Sequence, residues 1–490
     1  MGFLNNVKDN KKFFLIFLFL EVLLIAVFFK FEFNTSRLIL VFVLIAVYLI
    51  LFNKNEDYHK VAFSIILIFG ILMAVTTPIF IVCDEGEHFT KSDLLVEGNE
   101  LNVDSIFKFN SSSLSNQLYT HIGQKPVSKI NEKINYTDYT YLSSFPQNPI
   151  YGYIFQSIGI LIAMFLNLPA IYTLFFGRIG NLLLYAFVCS YAIKKTPKFK
   201  MAFLVISCLP PSIFQAASFS CDSFIISFTL LGIAYFIRMY YSSHIKNEDL
   251  LMFFVSLFLV GFFKFPYLLI AYLIFLIPKE KFQNEKIYYL SRFLPFIIFL
   301  IAMMYSYYVA PQLNSTVRSE YFQENNVNPS KQLSFILNHP INSILFYLQS
   351  YNLIPPMIQG LFCFSFAGYL YECIPLAYLI FIFLLIFSFC YPHGGSFTKK
   401  ERIKIFIMLI LISEMIIFIQ HLSWAPYGFL DWGVVWRLGI HFRYFIPLLV
   451  FIPMMLSIKY IQIKDFDKYI YLCLIFFLAS QLILTFSVYY

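Results

Sequence analysis

Charged residues are scarce in this chain: 35 basic and 27 acidic side chains make up 13% of 490 residues, about half the share usual in soluble domains. Hydrophobic side chains supply 60%, against roughly 45–50% in an average soluble domain. So much apolar surface cannot be hidden from water, and a disordered chain would not carry it. A cytosolic enzyme, a secreted disulfide scaffold and a nucleic-acid binder are thereby excluded, and the net charge of +8 is read against a bilayer. CxxC pairs are missing too, so the eight cysteines spell no disulfide framework. Cys189, Cys208, Cys363, Cys390 and Cys473 lie in or beside apolar runs and read as small core residues. There is no Walker-type glycine loop, GxGxxG, HExxH or GxSxG elbow, which argues against ATP-driven and soluble-nucleotide chemistry. What remains is a polytopic membrane protein.

Apolar runs able to cross or nearly cross a bilayer occupy about 13–29, 38–52, 61–82, 177–193, 201–217, 223–241, 288–309, 373–391, 403–421, 443–458 and 469–489. The first lacks a small-residue cleavage site and reads as a signal anchor. Between 250 and 278 two shorter pieces, split by Gly261, Lys264 and Pro266, look like a broken helical hairpin. Six groups of basic residues set the orientation: Lys8–Lys12, Lys54–Lys60, Lys194–Lys200, Lys279–Lys286, Lys399–Lys404 and Lys459–Lys468. All fall on the cytoplasmic side if the chain makes 13 crossings starting from the cytoplasm. That count requires 150–166 to be an interfacial helix on the outer leaflet rather than a span. Three stretches are then outside: 83–176, about 310–372 with an amphipathic piece at 333–350, and 422–442. The expected fold is all-α and polytopic, in four parts: a two-span extension (1–60), a membrane module (61–309), an outer loop (310–372) and C-terminal spans (373–490).

The chemistry sits at the outer boundary. Straight after the third run comes Cys83-Asp84-Glu85-Gly86-Glu87-His88-Phe89. In a helix Asp84 and His88 would share a face at i and i+4, with Lys91 one turn on. A carboxylate there can take a proton from an incoming hydroxyl, with His88 orienting it or sharing a metal ion; the bland alternative is a solvated helix cap. Arg178 in "FFGRIGN" and Asp222 in "SFSCDSF" fall on the same side, where snorkelling and helix capping are the ordinary explanations. Lys264 at the hairpin break suits an anionic phosphate, or snorkels. The last outer loop gathers Arg437, His441 and Arg443 beside Trp424, Trp432 and Trp436, all three tryptophans of the chain. Arginine forks match phosphate oxygens, while the tryptophans suit sugar rings or the headgroup belt. Glu414 is the clearest carboxylate deep within an expected span.

"DEGEHFTKSDLLVEGN" resembles the acidic signature of a family of bacterial multispanning proteins of unassigned function within the GT-C superfamily of membrane glycosyltransferases. "FFGRIGNLLL", "CLPPSIFQAASFSCDSF" and "GIHFRYFIPLL" are similar to its later blocks, in order, over roughly 61–457. Two departures are that Cys83 stands where a proline usually precedes the acidic pair, and that two spans precede the expected first one.

The resemblance implies a GT-C-like fold in a bacterial cytoplasmic membrane. It also implies a sugar donor on a polyprenyl phosphate and a cell-surface glycan acceptor on the outer face. Asp84, with Glu85 as the alternative, would activate the acceptor hydroxyl, and His88 matches the signature without a defined role. Arg178 and Asp222 match residues bordering the catalytic cavity, and Arg443 with Arg437 would face the donor phosphate, with Lys264 a further candidate and His441 lining the cavity. Asp84, Glu85 and His88 are the candidate ligands of a divalent cation (Mg or Mn), which some such enzymes use and others do not. Polar residues gathered on one face favour surface chemistry over a transporter or flippase, and the acidic cluster favours a transferase over a glycan polymerase.

Overall fold

A bilayer offers nothing to the backbone N–H and C=O groups of a spanning segment, so apolar runs must close their hydrogen bonds as helices. A computed structural model of the chain describes residues 10–52, 57–78, 82, 84–96, 111–112, 139–141, 148–309, 322–355, 365–366, 369–370, 375–430, 440–456 and 465–489. Those residues are overwhelmingly helical, apart from two miniature antiparallel ribbons, Ser111–Ser112 with Tyr139–Tyr141 and Ser365–Phe366 with Tyr369–Leu370. Among the described residues six helices are long and apolar enough to cross a membrane: Tyr58–Thr76, Ile171–Lys195, Asp222–Tyr241, Glu285–Tyr308, Lys399–Trp424 and Phe466–Ser487. The chain is a multi-pass membrane protein.

The first three runs form α1 (Lys11–Phe28), α2 (Thr35–Phe52) and α3 (Tyr58–Thr76). α1 buries Glu21, a second carboxylate deep in a helix that the hydropathy reading passed over. After α3 the chain turns into the short polar helix α4 (Glu85–Val96). The 150–166 stretch forms α5 (Ile154–Phe165). Twelve residues reach only about 18 Å, too short to cross about 30 Å of hydrocarbon.

α5 lies against α6 (Ala170–Lys195), and glycines set how closely. A Cβ at Gly159 would overlap the Phe176 carbonyl, and one at Gly180 the Phe155 carbonyl, so the two backbones touch as small residues allow.

The expected span at 201–217 is instead two short helices, α7 (Lys200–Ser207) and α8 (Pro210–Ala216). Pro210 and Pro211 lack the N–H groups that would serve the Ile206 and Ser207 carbonyls. Two hydroxyls replace them: Ser212 Oγ donates to Ile206 O at 2.9 Å and Tyr185 Oη to Ser207 O at 2.8 Å. Both pieces are buried from Met201 onward, which is where a broken helix is tolerated in a membrane.

α9 (Asp222–Tyr241) is buried over 83% of its apolar window, against 22% for Glu285–Tyr308 and 28% for Lys399–Trp424, so it is the centre of the bundle and they face lipid. The broken hairpin is present as α10 (Asn247–Gly261) and a 3₁₀ stretch, Phe265–Leu276, meeting at Lys264. α11 (Glu285–Met304) follows, capped by Asn284, whose side chain accepts from Ile287 N at 2.9 Å. The amphipathic piece at 333–350 is split by Pro340 into α12 (Pro329–Asn338) and α13 (Pro340–Leu348). α14 (Pro375–Cys390) leads to α15 (Lys399–Trp424), which starts on a capping box of Thr398 and Glu401. A 3₁₀ stretch, Phe442–Val450, runs into α16 (Phe451–Leu456), and α17 (Phe466–Tyr489) packs beside α1, where Lys12 Nζ donates to Tyr469 Oη at 2.7 Å.

The ends of these elements sort by charge. Around Lys194–Lys200, Lys279–Lys286 and Lys399–Lys404 one end is knitted together: Tyr240 Oη donates to Glu401 at 2.8 Å, Ile245 N to Lys281 O at 2.9 Å, and Tyr241 Oη to Ser396 O at 3.0 Å. The opposite end carries α4, the start of α9, the break at Lys264 and the entry to Phe442–Val450.

Candidate functional site

Four segments far apart in sequence bring their charges into contact at that second end. Asp84 precedes α4 with φ +64°, a left-handed conformation that aspartate tolerates better than most residues. Its carboxylate accepts from Arg443 Nη2 at 2.5 Å. The Nε of the same guanidinium lies 2.7 Å from Asp222 Oδ2, and Lys264 Nζ lies 3.5 Å from Asp222 Oδ1. Lys264 also sits over the ring of Tyr444, whose carbonyl accepts from Tyr267 Oη. Two carboxylates thus face two cations on a floor of tyrosines.

Two imidazoles flank this cluster. His88 Nδ1 is 2.8 Å from Tyr153 Oη, which accepts from Asn148 Nδ2 at 2.8 Å. Burial pushes His88 down to about 4 against the pull of Asp84 and Asp222. His441 stands edge-on to Tyr444 and is also down to about 4, by burial first and by Arg443 second. Both rings are neutral at pH 7. Burial alone would raise the Asp84 carboxyl, but Arg443, with His88 and His441 nearby, holds it well below the usual carboxylate range. It is a carboxylate at neutral pH, and a weak base while the pair lasts.

Glu85, one residue further on, has a different environment. Arg178 Nε donates to Glu85 Oε1 at 2.8 Å and Nη2 to Oε2 at 2.7 Å, with both side chains fully buried. Its other N–H groups go to the carbonyls of Ala74 at 2.9 Å, Thr77 at 2.8 Å and Pro78 at 3.1 Å. A guanidinium has five N–H donors, and all five are spent on closing the end of α3 and fastening α4 to it. Arg178 therefore has no donor left for a phosphate, and Glu85 has no oxygen turned toward the charge cluster. The three candidate metal ligands do not converge either, because Glu85 faces Arg178 while Asp84 faces Arg443. Among the described residues no group of three or more His, Cys, Asp or Glu side chains could hold a metal ion. Cys83, Arg437, Trp432 and Trp436 lie outside the described residues.

Asn181 escaped sequence reasoning, although it lies in the same block as Arg178 and three residues on, hence on a neighbouring face of α6. Its Nδ2 donates to Ser218 O at 2.7 Å and Ser220 O at 3.0 Å, and its Oδ1 accepts from Ser223 Oγ at 2.7 Å. The loop so held ends in Asp222, whose N–H donates to Ser220 Oγ at 3.2 Å. One helix thus places both carboxylate-bearing turns, through Arg178 toward Asp84 and through Asn181 at Asp222. Tyr153 and Tyr444 were missed as well; one fixes His88 and the other backs Lys264.

A family model described as predicted membrane protein (DUF2142) matches residues 67–452. The chain belongs to this family. No curated protein and no solved structure matches the chain. Asp84, Asp222, Lys264 and Arg443 all fall within the DUF2142 span, whereas α1, α2 and α17 lie outside it.

Proposed function

We propose that this DUF2142 protein is a GT-C type glycosyltransferase of the bacterial plasma membrane. It would move a sugar from a polyprenyl-phosphate donor to a cell-surface glycan on the outer face. The observation that carries the reading is the direct contact of Asp84 with Arg443, alongside Asp222 and Lys264, at the bundle end opposite the lysine clusters. A donor that already bears phosphate as its leaving group needs no nucleotide loop, only cations where negative charge develops. Arg443 and Lys264 supply them. Asp84 accepts the acceptor hydroxyl proton as that oxygen bonds to the anomeric carbon and the bond to phosphate breaks, so the sugar inverts in one step. His88 and His441, neutral at pH 7, line the site without adding charge.

The placing of the acids supports surface chemistry over transport. Among the described acids only Glu21 and Glu414 lie deep in long apolar helices. Glu414 is met by Ser350 from the segment that follows α13.

The test is sugar composition and branching of purified surface glycan, by NMR and mass spectrometry. Wild type is compared with a deletion strain and with the deletion complemented by Asp84→Asn, its membrane level checked by immunoblot. One substituent sugar vanishes in the deletion and stays absent with Asp84→Asn. Full restoration by Asp84→Asn would sink the mechanism, and loss of the whole polymer in the deletion would point to polymerisation or export.

A further inference from the structure

The cations that are to receive a phosphate are already occupied. Arg443 is shared between Asp84 at 2.5 Å and Asp222 at 2.7 Å, and Lys264 is held by Asp222 and the Tyr444 ring. Two carboxylates against two cations sum to no net charge. A phosphate entering beside both carboxylates would meet repulsion comparable to the attraction it gains. One carboxylate has to give way.

The two are not equivalent. Asp222 is 8% exposed, touches both cations, and sits at the end of a loop pinned by Asn181. Asp84 is 34% exposed, touches Arg443 of the two cations, and rests on a left-handed turn at the head of a helix. The Arg443 side chain is 5% exposed, and the Lys264–Tyr444 stack is backed by Tyr267. The cations are therefore anchored from behind, and Asp84 is the group free to turn toward the open side.

We propose that an isoprenyl phosphate headgroup binds by exchange, taking Arg443 from Asp84 while Asp222 keeps both cations in place. This inference rests on the donor-phosphate reading above and adds an order to it. While the pair with Arg443 lasts, Asp84 is masked by the guanidinium; once phosphate holds Arg443, the freed carboxylate regains the basicity of an ordinary one. The acceptor hydroxyl then meets a competent base only when the donor is loaded, so donor binds first and acceptor second. The site keeps its base idle until there is a leaving group to expel.

The experiment titrates citronellyl phosphate into the purified full-length chain in detergent, by calorimetry. Citronellol serves as the tail without the headgroup, and inorganic phosphate as the headgroup without the tail. The proteins are wild type, Asp84→Asn, Asp84→Ser and Arg443→Gln, each first shown to be monodisperse with a thermal midpoint near that of wild type. A carboxylate competing for a guanidinium hydrogen bond is worth about tenfold or more in affinity. Both Asp84 variants therefore bind citronellyl phosphate about tenfold tighter than wild type, Arg443→Gln loses binding, and citronellol affinity is the same in all four. Inorganic phosphate shows the same gain at weaker absolute affinity, which separates headgroup recognition from the tail's contribution. Equal or weaker binding in both Asp84 variants overturns the exchange and leaves the phosphate site standing. Absence of citronellyl phosphate binding in every protein overturns the donor reading and the exchange together.

Discussion

Asp84 and Glu85 are adjacent carboxylates of one motif with opposite surroundings. The left-handed backbone at Asp84 sends its side chain to the charge cluster, while Glu85 turns inward to Arg178. Nothing in the spacing of the motif separates them, because the difference lies in which partner another segment brings. Breaking a fully buried pair by removing one charge leaves the other unsolvated, at a cost of about 3–5 kcal/mol. Glu85→Gln and Arg178→Met each lower the thermal midpoint sharply and deplete the protein from membranes, measured by fluorescence-detected size-exclusion after heating. Asp84→Asn, a third exposed at its side chain, changes the midpoint little. If Glu85→Gln left the midpoint unchanged, the inward pair would not be the fastening described.

At the scale of elements, much of the architecture could be read from hydropathy, because a helix is the only economical way to bury an apolar run in lipid. The break at Lys264 was legible too, since Gly261, a lysine and Pro266 interrupt one short stretch. The break at Pro210 and Pro211 was not, although both residues are plain in the sequence. A hydropathy window counts apolar side chains and is blind to which carbonyl loses its donor and which hydroxyl replaces it. Tyr185 comes from another helix altogether. The convergence of Asp84 with Arg443 was legible only as a shared side of the membrane, and contact across 359 positions is decided by packing that a linear reading does not contain. Removing the substitute hydroxyl should uncover the Ser207 carbonyl, and an unsatisfied buried group costs about 1–3 kcal/mol. Tyr185→Phe therefore lowers the thermal midpoint by several degrees. Adding Pro211→Ala, which returns an N–H at the position serving that carbonyl, recovers part of the loss. No change in the single variant would mean that the Tyr185 hydroxyl is not what closes the break.

For the whole molecule, orientation joins the charge pattern to the chemistry. Lysine clusters gather at one end, where Ile245 meets Lys281 and Tyr240 meets Glu401. The Asp84–Arg443 cluster lies at the other, and α15 and α6, each about 39 Å long, run from one end toward the other. Lysine-rich loops resist translocation, and the proposed function therefore sets the basic end in the cytoplasm and the charge cluster outward, where a lipid-linked donor and a surface glycan would meet. Exposed positions at each end make this measurable. Lys246 and Glu280 mark the lysine end, and Asn167 and Glu324 mark the site end. Single cysteines at these four positions, in a chain with its eight native cysteines replaced by alanine, are probed with a membrane-impermeant maleimide. Asn167→Cys and Glu324→Cys label in intact spheroplasts. Lys246→Cys and Glu280→Cys label in inverted vesicles, with total accessibility normalised in detergent. The reverse pattern would place Asp84 and Arg443 in the cytoplasm, and an outward-facing transferase could not survive it. A mixed pattern, with both ends labelled from one side, would break the separation of ends on which the orientation rests.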